Sequence, residues 1–139
     1  MYAIRYANSS DKNFWFNNDK NMDESMFENK IWNSLSYIIT EGSMRIGLLR
    51  SSLFRDKIPF CNLLYIDEEY RNMGYDKILL LYWEQDMRAR GHDLVMVSSF
   101  LGDMKYMFYR ETGYQESGGI ILPDDNNCKS MEIIMTKKL

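Results

Sequence analysis

Two short segments of this chain carry residues whose types and spacing could do chemistry. In the first, Leu64-Tyr65-Ile66-Asp67-Glu68-Glu69-Tyr70-Arg71-Asn72-Met73-Gly74-Tyr75-Asp76-Lys77-Ile78-Leu79-Leu80, an apolar strand runs into a short turn that opens directly into a helix. The turn holds Arg71 and then, three residues later, Gly74. Such a turn aims backbone N–H groups and the positive end of a helix dipole at one point, and that point suits a phosphate. Gly74 lets the backbone approach closely and take unusual dihedrals, and Lys77 adds a cation at the rim. In the second segment, Phe108-Tyr109-Arg110-Glu111-Thr112-Gly113-Tyr114, a phenol stands near the end of a short helix.

The elements that must position these residues follow from periodicity and turn chemistry. Tyr2 to Ala7 alternates like a strand, and part of the polar stretch Asn8 to Asp23 can form a short helix. Asp23 caps a helix through about Asn33, with Phe27 and Ile31 on one face. Leu35 to Thr40, Met44 to Phe54 and Ile58 to Ile66 read as strands joined by turns at Glu41-Gly42-Ser43 and Arg55-Asp56-Lys57. From Met73 to Arg90 the period changes, and Leu79, Leu80, Trp83 and Met87 make a helical stripe that stops at Gly91. Leu94 to Val97 is a continuously apolar strand, buried on both faces. Asp103 caps a helix whose Met104, Met107 and Phe108 read as core, closed by Gly113. Tyr114 to Leu122 and Met131 to Lys137 form a closing strand pair joined by the loop Pro123 to Lys129, with a bulge or close backbone approach at Gly118-Gly119. A strand–helix–strand unit around the helix from Met73 makes its two strands parallel. The expectation is a single α/β domain over residues 1–139, with a mixed sheet and helices on both faces.

Composition narrows the classes of function. Formal charge is −3, from 17 basic and 20 acidic residues, with no basic stripe, so nucleic acid is not an expected partner. No apolar run is long enough to cross a membrane, and the N-terminus has no signal-peptide core, so a cytoplasmic protein is expected. Cys61, Cys128 and a single His do not make a Cys/His zinc site, no metal is expected, and a Cys61–Cys128 disulfide is disfavoured in the cytosol. The 11 Met and the 14% aromatic content supply bulky, adaptable core filling.

With this element order, the turn at Arg71 and the Tyr109 segment, the whole chain resembles the GCN5-related N-acetyltransferases, the GNAT superfamily. The resemblance implies a GNAT fold with about seven strands and a coenzyme site for acetyl-CoA. Arg71 and Gly74 match the family's Arg/Gln-x-x-Gly-x-Gly/Ala signature, so the backbone of Asn72, Met73, Gly74, Tyr75, Asp76 and Lys77 would cradle the pyrophosphate. Asp76 departs from that signature, which has Gly or Ala there. Asp near a helix N-terminus can satisfy free N–H groups and so compete with a phosphate for them, at about 1–3 kcal/mol for a carboxylate roughly 5 Å away, or it can turn outward to water or to Lys77 at little cost. Leu64, Tyr65 and Ile66 would splay from the next strand and pair, through their backbone, with the pantetheine arm. Tyr109 matches the residue that protonates the departing thiolate, a feasible transfer because phenol and thiol differ by about 1.5 units in reference pKa. A packed aromatic with a satisfied hydroxyl is the other reading of Tyr109. The family often has an Asn seven residues before this Tyr, and here Gly102 stands there.

The resemblance implies transfer of an acetyl group to a primary amine, on a small molecule or a peptide, and leaves open a homodimer. The alternative is a GNAT-fold module that binds or senses an acyl-CoA without catalysis. No residue reads clearly as the base: Pro59-Phe60-Cys61-Asn62 holds no acid. Glu41, Asp56, Asp67, Glu68 and Glu69 read first as solvated surface, and His92 as part of a helix stop. Phe14, Trp15, Phe16 and Trp32 either wall an acceptor pocket or pack the first helices.

Overall fold

The computed structural model describes residues 1–123 and 130–139. In chain order the elements are β1 (Tyr2–Tyr6), a 3-10 turn (Ser9–Asp11), α1 (Lys12–Asn18), α2 (Glu24–Trp32), β2 (Ser36–Glu41), β3 (Met44–Phe54), β4 (Ile58–Ile66), a second 3-10 turn (Glu68–Tyr70), α3 (Tyr75–Ala89), β5 (Leu94–Phe100), α4 (Met104–Glu111), β6 (Gln115–Ile121) and β7 (Met131–Lys138). The strands form one mixed seven-stranded sheet in the order β1-β2-β3-β4-β5-β7-β6. β4 and β5 are parallel, with Phe60 beside Met96 and Cys61 beside Val97. The expected element order and sheet are therefore present. Cys128, and with it any pairing to Cys61, lies outside the described residues, as does most of the loop before β7. No helix among the described residues is long and apolar enough to cross a membrane.

The chain falls into two compact units, Met1–Ser52 with Asn62–Asp86 and Leu53–Cys61 with Met87–Leu139. In the first unit, strand alternation sends neighbouring side chains to opposite faces. Ile38 of β2 and Leu48 of β3 pack with Trp15 of α1 and Phe27 of α2. Tyr37, one residue from Ile38, turns the other way, meets the Tyr82 ring of α3 edge-on at 6.1 Å and donates its hydroxyl to Asp86. Helices thus cover both faces of these strands. The stripe Leu79, Leu80 and Trp83 is fully buried, each such side chain contributing about 1.5–3 kcal/mol. α2 starts where Asp23 accepts from the Met26 N–H at 2.8 Å, a cap whose loss costs about 1 kcal/mol.

A buried carboxylate ties the start of this unit together. Asp11 receives Arg5 through both guanidinium nitrogens, at 2.7 and 2.8 Å, and Arg45 Nε at 2.6 Å. Burial pushes its pKa up, but the Arg5 and Arg45 hydrogen bonds and the Asn8 N–H outweigh it and hold the carboxyl down at about 2.

In the second unit β7 pairs antiparallel with both β5 and β6. Glu116 faces Met135 and Gly118 faces Ile134, so Ser117 is the extra residue of a bulge beside the glycine pair. The expected close approach is at Gly119, where an added Cβ would come within 2.7 Å of Met131 Sδ.

Two expected core residues, Met104 and Met107, are instead at the surface. Met104 is 86% and Met107 56% exposed, whereas α4 buries Tyr109. At about 100° per residue Met107 stands roughly 200° from Tyr109, so only one of them can face inward. Trp32 is 87% exposed for the same reason, being roughly 140° round α2 from the buried Phe27. Phe14, Trp15 and Phe16 belong to the packing of the first helices.

Candidate functional site

The last part of β4 changes its facing. Pro59, Cys61, Leu64 and Ile66 are buried, so the two-residue alternation slips by one between Cys61 and Leu64. Asn62 and Leu63 are the consecutive residues that absorb the slip. Asn62 accepts from Ser52 Oγ at 2.7 Å and lines a cleft beside α2, while Leu63 packs against the cluster that holds Trp15 and Phe27. Two successive side chains on one side are the mark of a bulge, which re-aims the strand beyond it. Leu64 and Ile66 then point into the core, and Tyr65 packs against the same helices as Leu63. Burial, and next a hydrogen bond to Asp67, raise the Tyr65 phenol above its ordinary pKa.

Beyond β4 the chain makes one 3-10 turn and then the segment that opens α3. Arg71 folds back, donating Nε to the Ile66 carbonyl at 2.8 Å, and its guanidinium lies 5.6 Å over the Tyr65 ring. The turn is thereby tied to the strand end by one side chain. Asn72 and Gly74 both have positive φ, at 62° and 86°. At Gly74 that conformation suits glycine alone at no cost, and nothing lies within 4 Å of where a Cβ would be, so its face of the turn is open. The first bond of α3 is from the Ile78 N–H to the Gly74 carbonyl, at 3.1 Å. The N–H groups of Tyr75 and Asp76 precede it and have no acceptor inside the helix. Arg71, Asn72, Tyr75 and Asp76 line one cleft of about 120 Å3 with Ile66 and Tyr70. Met73 and Lys77 are exposed.

Asp76 does not simply turn to water. Its Oδ1 accepts from the Lys77 N–H at 2.8 Å, taking one of the donors that a phosphate would use. Tyr75 donates its hydroxyl to Glu41 at 2.7 Å and stacks edge-on with Tyr70 at 6.2 Å. Glu41, read from the sequence as solvated surface, is brought to the turn by the sheet from 34 residues away, and no periodicity or spacing announces its bond to Tyr75.

Tyr109 lies in the second unit, 3% exposed, in the last turn of α4. Its surroundings follow from how the helix stops. The Tyr114 N–H donates to the Tyr109 carbonyl at 3.0 Å and the Gly113 N–H to the Arg110 carbonyl at 3.1 Å. This is a Schellman pair, and Gly113 has the positive φ, 103°, that it requires. The hydrophobic contact that accompanies such a stop is the Tyr109–Tyr114 ring pair, T-shaped at 5.7 Å. The spacing Tyr-x-x-x-Gly-Tyr is thus a capping pattern as well as a candidate site. Gly102, with φ of 90°, sits in the turn before α4 and carries no side chain toward any ligand.

Among the possible bases, Glu41 is held by Tyr75 and Asp67 by Tyr65, while Asp56, Glu68 and Glu69 are exposed. The His92 N–H closes α3 by donating to the Met87 carbonyl at 3.1 Å. Among the described residues no group of three Cys, His, Asp or Glu side chains could hold a metal.

No protein-family model matches this chain, and no curated protein matches it in sequence. Solved structures match its fold. Ard1 from Thermoplasma volcanium superposes with a TM-score of 0.85 at 15% identity, over 99% of this chain and 97% of that one. The ribosomal-protein-S18-alanine N-acetyltransferase from Escherichia coli gives 0.79 at 15%, over 99% and 94%. A GNAT family acetyltransferase from Elizabethkingia anophelis with acetyl-CoA bound gives 0.74 at 10%, over 99% and 98%.

Proposed function

Because this chain has the fold of the GCN5-related N-acetyltransferases, we propose that it is an acetyl-CoA-dependent N-acetyltransferase acting on a primary amine. The observation that carries this reading is the turn from Arg71 to Lys77. Gly74 is open on its ligand face, and the N–H groups of Tyr75 and Asp76 have no acceptor inside α3. That donor set fits a pyrophosphate, with the Lys77 N–H shared between the ligand and Asp76.

Bound acetyl-CoA supplies a thioester, whose C–S bond breaks as the acceptor nitrogen bonds to the carbonyl carbon. The backbone of Leu64, Tyr65 and Ile66 pairs with the pantetheine arm and holds the thioester in register. Tyr109 gives its phenolic proton to the departing sulfur and regains one from solvent. The attacking amine must first lose the proton of its ammonium form, and loses a second as the amide forms. Water reaching the cleft is the acceptor of both, since no carboxylate stands out as the base.

A binding-only module is the second reading, favoured by the bond from the Lys77 N–H to Asp76 and by the structural reason for Tyr109 to be where it is. Isothermal titration with acetyl-CoA, followed by release of coenzyme A from a panel of amines, tests the proposal. Binding with turnover supports the transferase. Binding without turnover on any amine leaves the module, and no binding removes both.

A further inference from the structure

A second cleft, of about 490 Å3, lies in the first unit and takes its walls from α2, β3 and β4. Of the residues lining it only Met26 is apolar, which is an unsuitable surface for a hydrophobic acceptor. Its two cations differ in how they are satisfied. Arg50 donates Nε to Asp19 at 2.8 Å, and Asp19 also receives the Trp15 indole N–H at 3.1 Å. That pair is almost wholly buried and neutral as a unit. Lys30 is half-buried, and among the described residues its ammonium makes no hydrogen bond or ion pair. Burial first, and the nearby Arg50 charge second, lower its pKa. An anion beside the ammonium offsets both penalties. The acid on the lip, Asp23, is engaged by the α2 N-terminus through the Met26 N–H.

The neighbouring amides fit the same ligand. Asn62 lines the cleft and accepts from Ser52 Oγ at 2.7 Å through its carbonyl oxygen, so its NH2 is free of that bond. Lys30, the cation of this cleft with no acid bonded to it, matches a carboxylate in charge, and an amide donor beside it matches one in hydrogen bonding. Asn62 is also two residues from Leu64 on β4, roughly 7 Å along the strand from the segment assigned to the pantetheine arm.

We propose that the acetyl acceptor is a small amine that carries a carboxylate, held in this cleft by Lys30 and the Asn62 amide. The inference rests on the transferase reading above and names its substrate class. The full chain is assayed with acetyl-CoA and straight-chain amino acids from glycine to 6-aminohexanoate, each beside its carboxamide. At least one acid is expected to exceed its amide about tenfold in kcat/KM. Lys30→Gln should erase that preference through KM, and Lys30→Arg should keep it. Amides as good as acids, or a preference that survives Lys30→Gln, overturns the inference while leaving the transferase standing. If no amine is acetylated, the Lys30 side-chain NMR signal is titrated with the same compounds. A shift with acids and not amides upholds the carboxylate site but overturns its occupant as the acetyl acceptor. No shift with any acid overturns the site.

Discussion

In the turn from Arg71 to Lys77 the groups available for chemistry belong to the backbone; at the end of α4 the group is a side chain, and it is buried. The turn is open, with nothing facing Gly74. No packing contact accounts for the glycine at its centre, and under the proposed function a pyrophosphate does. Tyr109 has a sufficient reason to be where it is without any ligand, because its ring is the contact that seals a Schellman stop against Tyr114. A motif that serves capping and chemistry together says less about chemistry than a motif that serves nothing else. That is why the coenzyme reading stands on the turn and the proton-transfer reading stands on the fold's likeness and on Tyr109 together.

The largest expected effect falls where the two explanations of Tyr109 part. Tyr109→Phe keeps the ring and removes the proton. A general acid is expected to cost about 100-fold or more in kcat, with acetyl-CoA affinity unchanged and stability moved by no more than about 1 kcal/mol. Turnover that survives within a few-fold would reduce Tyr109 to the seal of its helix and would set the turn apart as the only functional half of the comparison.

Next in size is a control that touches neither region. Asp11 is held at a pKa of about 2, below its ordinary value, so its contribution is present above about pH 4 and is lost as pH falls through about 2. Asp11→Asn should cost about 2 kcal/mol near neutral pH, discounted from a fully buried pair because Arg5 and Arg45 are about one-third exposed. The same variant should flatten the acid limb of a thermal-stability profile. kcat at a temperature well below Tm should not move, and a loss there would mean that activity in this chain follows global stability, which would weaken any conclusion drawn from the other variants.

Smaller still is a matched pair of glycines. Gly113→Ala and Gly74→Ala each force an alanine into a positive φ, at 103° and 86°, and each should cost about 1 kcal/mol of stability. Gly113→Ala also crowds Lys137, whose Cε would lie 3.3 Å from the new Cβ. Only Gly74→Ala should also weaken coenzyme A in a titration, since its methyl would occupy the open face of the turn. Equal affinities in the two variants would contradict the ligand explanation of Gly74.

Most of the fold was legible because its signals are local. The stripe Leu79, Leu80, Trp83, the cap at Asp23 and the stops at Gly91 and Gly113 each depend on neighbours within one helical turn. What escaped is what the sheet assembles from distant residues. Glu41 meets Tyr75, Arg50 meets Asp19, and Lys30 is left without an acid, and no spacing in the chain announces any of these. Met104 and Met107 were misread for a different reason: hydrophobicity alone placed them inside, but each sits on the wrong arc of a helix that buries one residue. For the Asp76 carboxylate the sequence left two directions open, because the choice depends on a rotamer, and the structure takes the one that holds a helix N–H.

That carboxylate sets the last prediction. Asp76 Oδ1 holds the Lys77 N–H, so it opposes a phosphate in two ways, by charge and by occupying a donor. Asp76→Ala removes both and should raise coenzyme A affinity about tenfold at low salt, by isothermal titration. Asp76→Asn keeps an oxygen that can hold the donor and removes only the charge. If charge dominates, Asn should match Ala, and the gain should shrink as ionic strength rises. If donor occupancy dominates, Asn should stay near wild type and salt should matter little. Either variant gives up a favourable carboxylate at a helix N-terminus, about 0.5 kcal/mol of stability. Affinity that does not change in either variant would place the pyrophosphate away from the start of α3, and the turn would then lose the advantage over Tyr109 that its openness gives it.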